Sequence, residues 1–307
     1  DFDRAAEAGQ NAHRLSVEWS RIQPAPDRWD EDALERYRVM LRGLKERGIT
    51  PMVTLHHFSD PLWLEEVSGW ETEAVAAAFE KFVRKTVEAL KEYCTLWCTI
   101  NEPNGYATLG YLFGVFPPGK KDLKASFKVL ENIVRAHAAA YHAIHEIQPE
   151  ARVGMAHHYR GMTPNSASPL DKWVRDLQFH LLNAVIPLAL KNGILRLPFG
   201  RVRISQAAKT QDYFGLNYYT RYRVAFDPRL PGQVFGRQFL PKGADISPTD
   251  QAFTIANEAE GFYESIKWSV RAFPNMPIII SENGTYDSED TFRRRYLAQH
   301  IHQMWRA

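Results

Sequence analysis

The sequence predicts an α/β fold of the (β/α)8 TIM-barrel type, incomplete at about six strand–helix units and either open or completed by another chain. Three observations predict it. Short β-rich runs alternate with amphipathic helical runs, the pattern of a parallel sheet. Each β-rich run ends in polar residues that are odd for a core. The 307 residues also suit one barrel domain, spanning 1–307, better than two ordinary ones.

The β-rich runs are 12–17, 51–57, 95–101, 152–157, 212–219 and 277–282. Between them lie helical patterns at 30–47, 72–93, 125–147, 172–192 and 257–273. In the first, Leu34, Tyr37, Leu41 and Leu44 recur three and four apart, and Gly48 gives a stop signal. Pro149 and Gly193 punctuate two later helix ends. The start, Asp1-Phe2-Asp3-Arg4-Ala5-Ala6, reads as the middle of a helix rather than as a signal peptide. The stretch 225–249, rich in Pro and Gly, reads as a long surface loop. A closed barrel needs eight strands, and six are counted.

Composition excludes several classes. With 38 basic and 36 acidic residues the net charge is +2, which gives no reason to expect nucleic acid or an anionic membrane as partner. No apolar run approaches the roughly 18 to 20 residues of a membrane span. The two cysteines, Cys94 and Cys98, would stand about 13 Å apart on one extended strand, too far for a disulfide. Two reduced thiols fit a cytoplasmic location. His137, His142 and His145 share one helix, but their pattern does not make a metal site, so no metal is expected.

The strand ends carry the chemistry. The first run contains Arg14 and leads into Glu18-Trp19; the second ends His56-His57-Phe58, the third Asn101-Glu102-Pro103, and the fourth His157-His158-Tyr159. The last two end Asn217-Tyr218-Tyr219 and Glu282-Asn283-Gly284. In an α/β barrel the C-terminal strand ends form the active-site face. Two Glu residues there suit glycoside hydrolysis. One carboxylic acid protonates the leaving oxygen and the other carboxylate attacks the anomeric carbon; the two carboxyl groups stand about 5 to 5.5 Å apart in retaining enzymes. Arg14 and Tyr219 are expected to keep Glu282 anionic. Glu102 is expected to hold a proton near neutral pH. Asn101 and His57 are expected to bind sugar hydroxyls, with Trp63 and Trp70 as stacking faces. Of the adjacent pairs His56-His57 and His157-His158, only one member each can face the mouth.

Five segments, in order, resemble family 1 glycoside hydrolases, the β-glucosidase family. They are Asn11-Ala12-His13-Arg14-Leu15-Ser16-Val17-Glu18-Trp19-Ser20-Arg21-Ile22, Val53-Thr54-Leu55-His56-His57-Phe58, Thr99-Ile100-Asn101-Glu102-Pro103, Gly215-Leu216-Asn217-Tyr218-Tyr219-Thr220 and Ile280-Ser281-Glu282-Asn283-Gly284. The resemblance implies Glu102 as acid/base, Glu282 as nucleophile, and a retaining mechanism on β-glucosides or β-galactosides without a cofactor. It implies sugar binding by His57 and Asn101, with Arg14, Asn217 and Tyr219 at supporting positions. The family's first strand, with a sugar-binding Gln, and its last, with a Trp- and Glu-bearing loop, have no counterpart in the sequence. Open strand edges are then expected, which invite a homodimer. The alternative is a catalytically impaired barrel of the same ancestry, acting as a ligand-binding or structural, oligomeric protein.

Overall fold

A computed structural model of the chain describes residues 1–198, 200–249 and 254–307. Among these residues the strands are β1 (Ala12–Ser16), β2 (Thr50–His56), β3 (Leu96–Asn101), β4 (Arg152–His158), β5 (Gly161–Pro164), β6 (Ile194–Leu197), β7 (Gly200–Arg203), β8 (Tyr213–Asn217), β9 (Arg221–Phe226), β10 (Gly236–Phe239) and β11 (Ile278–Glu282). β1, β2, β3, β4, β8 and β11 are the six expected strands, each within two residues of the expected bounds. The chain divides into two compact units, 1–156 with 186–213, and 157–185 with 214–307.

In the first unit β1, β2, β3 and β4 pair in that order, all parallel. β2 and β3 are buried at every position but the first. That is how parallel strands covered on both faces read, and it explains their nearly continuous apolar sequence. The covering helices start on clear caps. The Asp30 carboxylate accepts from the Ala33 amide at 2.8 Å and opens helix Glu31–Lys45, which buries Leu34, Tyr37, Leu41 and Leu44. Gly48 follows at φ +71°, a left-handed conformation that glycine adopts without Cβ strain. Helix Ala74–Leu90 buries Val75, Phe79, Phe82, Val83, Val87 and Leu90, and Asp122 caps helix Leu123–Ile147. The β6–β7 hairpin completes the unit.

In the second unit β11 pairs parallel with β8. A smaller sheet sets β9 between β10, antiparallel, and β5, parallel. Tyr159, Phe214, Leu216, Tyr218, Phe262, Ile266 and Phe273 form its core. β8 is buried throughout, whereas β11 has no buried residue, nor has β1 in the first unit.

Two sequence expectations change. The stretch 225–249 is not simply a loop, because β9 runs into it and β10 pairs back along β9. What holds β10 is remote in sequence: the Gln178 amide donates to the carbonyls of Gln233 and Gly236, at 2.7 and 2.9 Å. A Cβ at Gly236 would meet that amide at 2.3 Å, so a larger residue there would push the Gln178 side chain off these carbonyls. The helix expected over 172–192 instead starts at Pro169 and passes through a π-helical segment, His180–Ala184, before helix Val185–Asn192. Pro187 offers no amide hydrogen for the usual helical bond, and the widened turn lies just before it.

Candidate active site

The first unit brings Arg14, His57 and Asn101 together from β1, the end of β2 and β3. The Arg14 guanidinium donates to Thr54 Oγ1 at 2.9 Å and to Asn101 Oδ1 at 2.6 Å. With its oxygen so engaged, Asn101 presents its amide nitrogen to His57 Nε2 at 3.0 Å. His57 Nδ1 lies 2.8 Å from Ser16 Oγ. Nε2 therefore accepts and Nδ1 carries the proton, so His57 is read as neutral, its tautomer assigned from its neighbours.

Glu102 follows directly. Its backbone is left-handed, φ 41° and ψ 57°, although it is not glycine and it precedes Pro103. A residue before proline is normally extended, so this conformation persists only because its surroundings impose it. The Glu102 amide donates to the Ala156 carbonyl at 2.8 Å, and the Glu102 carbonyl accepts from the Tyr106 amide at 2.9 Å. A register shift between Cys98 and Asn101 in the β3–β4 pairing precedes it, a local irregularity of the kind that re-aims side chains near active sites. Glu102 is 8% exposed.

His56 and His57 diverge, as adjacent strand residues must. His56 is buried and lies 3.1 Å from Asp60 Oδ1. Trp70 is fully buried and donates its indole N–H to the same oxygen at 2.8 Å, so it is a core residue and not a stacking face for sugar. Trp63 is half-buried, edge-on to Trp19, with its N–H on the Gln23 carbonyl.

The second unit gathers Asn217, Tyr219 and Glu282. The Tyr219 hydroxyl donates to Glu282 Oε2, as expected. Ser281 Oγ donates to Asn217 Oδ1 at 2.7 Å. A register shift between Ile280 and Glu282 against β8 sits just before the carboxylate. Asn283 donates to the Tyr218 carbonyl at 2.7 Å and lies 2.9 Å from His300 Nδ1. Tyr296 donates its hydroxyl to the Tyr219 carbonyl at 2.6 Å. Tyr296 and His300 escape sequence reading because they follow a mixed charge run; their spacing of four on helix Arg293–Arg306 is the one available signal. His158 lies beside Tyr219, their ring centres 6.0 Å apart, whereas His157 is buried and stacks on Phe214.

Burial pushes the His300 imidazole down from 6.5 to about 4. As pH falls, the unfolded chain takes up this proton before the folded one. The contribution is fully present above pH 6.5 and is lost as pH falls towards 4. The unfolding free energy should drop on the order of 2 to 3 kcal/mol across that window on this account. Denaturant unfolding at pH 7 and pH 4.5 measures it, and His300→Gln should show a smaller drop.

The three histidines of helix Leu123–Ile147 go to separate partners: His137 to Thr99 Oγ1 and the Thr210 carbonyl, His142 to the Gln206 carbonyl, and His145 to Asp212. Cys94 and Cys98 are buried and form no disulfide with each other, and burial pushes Cys94 up to about 12. No helix among the described residues is long and apolar enough to cross a membrane.

The alternation of parallel strands with helices, with one carboxylate after β3 and another ending β11, is that of the α/β-barrel class. Residues 1–307 match the description of glycosyl hydrolase family 1, and the chain belongs to that family. It is 31% identical to beta-glucosidase A of Thermotoga maritima, an alignment covering 100% of this chain and 72% of that protein. It is 26% identical to a human cytosolic beta-glucosidase, covering 100% of this chain and 73% of that protein. Its structure superposes on a beta-glycosidase from Pyrococcus horikoshii with a TM-score of 0.90 and 32% identity, covering 99% of this chain and 69% of that one. The fold is accordingly of the (β/α)8 type, with six of the barrel's parallel strands among the described residues. Membership implies a carbohydrate substrate.

Proposed function

We propose that this chain hydrolyses β-glucosides or β-galactosides with retention of anomeric configuration. Glu282 is the nucleophile and Glu102 the acid/base. Glu102 protonates the departing oxygen as Glu282 attacks the anomeric carbon, and then deprotonates the water that releases the sugar. Asn101 and His57 hold sugar hydroxyls. Arg14 orients Asn101, while Tyr219 supports the Glu282 carboxylate. Tyr219 with Glu282 is the observation that carries this assignment: within the family's own sequence context, an aromatic hydroxyl donates to the carboxylate and holds it in one orientation, as a nucleophile needs. Two further features support it, namely the imposed left-handed backbone at Glu102 and the Arg14–Asn101–His57 chain. Proton NMR of a reacting aryl β-glucoside tests it. The β-anomer of the free sugar should appear first; the α-anomer first would rule out double displacement.

A further inference from the structure

A buried carboxylate stands beside the Glu102 turn and has no role in the chemistry proposed so far. The Asp60 side chain is 7% exposed. It receives three donors from three segments: His56 at the end of β2 at 3.1 Å, Trp70 of the turn Gly69–Glu71 at 2.8 Å, and the Tyr106 hydroxyl at 2.6 Å. Two of these segments adjoin site residues. His56 precedes His57, and Tyr106 closes the short helix Pro103–Tyr106, its amide bonded to the Glu102 carbonyl. The rings of His56, Trp70 and Tyr106 pack around the carboxylate, with centres 4.9 to 6.0 Å apart.

A buried charged group is a weak way to stabilise a fold, since an apolar group of similar size does as well or better. It does fix geometry, because a fully engaged carboxylate admits one arrangement of its donors. Burial opposes ionisation of Asp60, but the charge and hydrogen bond of His56, with the donors from Tyr106 and Trp70, outweigh it and hold the carboxyl below its ordinary range. Glu102 needs such a constraint, because its backbone conformation is one that only its surroundings impose.

We propose that Asp60 is a positioning residue: through Tyr106 it clamps the turn that starts at Glu102 onto the end of β2, and so sets where the Glu102 carboxyl points. The proposal rests on Glu102 being the acid/base. It separates two kinds of substrate. A poor leaving group needs a well-placed acid, whereas an activated one departs without protonation.

The test compares kcat/KM for phenyl and 2,4-dinitrophenyl β-glucosides in the wild type, Asp60→Leu and Tyr106→Phe. In Asp60→Leu the phenyl substrate should lose on the order of 100-fold, as expected when an acid is displaced by about 1 Å, with the dinitrophenyl substrate within about threefold. Tyr106→Phe, which removes a single hydroxyl, should show the same selectivity at about tenfold, and it carries the test if Asp60→Leu does not fold. Hydrogen exchange over 101–112 should quicken by about tenfold or more in both variants. Equal losses on both substrates, or unchanged exchange over 101–112, would overturn the proposal. If wild type and Glu282→Gln are equally inert, the glycosidase assignment fails instead, and exchange alone decides whether Asp60 is a clamp.

Discussion

Glu282→Gln is expected to lower kcat for an aryl β-glucoside on the order of 10⁴-fold or more, the scale seen when a covalent nucleophile is removed. The amide keeps the shape of the carboxylate but neither its charge nor its capacity to form a glycosyl ester. Tyr219 makes the case sharper. Its hydroxyl donates to Glu282 Oε2 and can donate equally to an amide oxygen, so the substitution leaves local packing nearly intact. Any loss is then chemical. The comparison is made by initial rates, alongside an unfolding curve to show that the variant is folded. A variant as active as the wild type would remove Glu282 from the mechanism.

Glu102→Gln should behave differently. It removes the proton donor but not the nucleophile, so its effect depends on the leaving group. For an unactivated aryl or alkyl glycoside kcat/KM should fall on the order of 10² to 10⁴, the usual contribution of general acid catalysis. For a dinitrophenyl glycoside kcat/KM should hardly change, since that step needs no proton. Turnover of the activated substrate should still slow, because release of the sugar requires Glu102 as a base. A uniform loss on every substrate would mean that Glu102 acts on binding or folding instead.

Much of this was legible in the sequence, for local reasons. The strand and helix alternation is carried by periodicity and by residues such as Asp30 and Gly48, whose effect is confined to one turn. The Tyr219 contact with Glu282 follows from their places at two strand ends, whereas the sequence aimed Arg14 at Glu282 and did not foresee its hydrogen bond to Asn101, nor that of Asn101 to His57. The structure adds what depends on distant chain segments. Gln178 pins β10 from a helix some 58 residues away, which no window of 225–249 contains. Trp70 looked like a sugar platform by its residue type, yet its N–H is bound to Asp60 in the core. The register shifts before Glu102 and Glu282 leave no mark on strand periodicity at their own positions. Asp60 sits in an unremarkable run after β2, and only the convergence of His56, Trp70 and Tyr106 marks it out.

The central claim is that Glu282 becomes covalently glycosylated. A 2-deoxy-2-fluoro-β-glucoside with a dinitrophenolate leaving group slows release of the sugar and should trap that ester. After incubation and proteolysis, mass spectrometry should find one fluoroglucosyl group, located on Glu282, and none in Glu282→Gln. An active protein that forms no adduct, or forms it on another residue, would contradict the account.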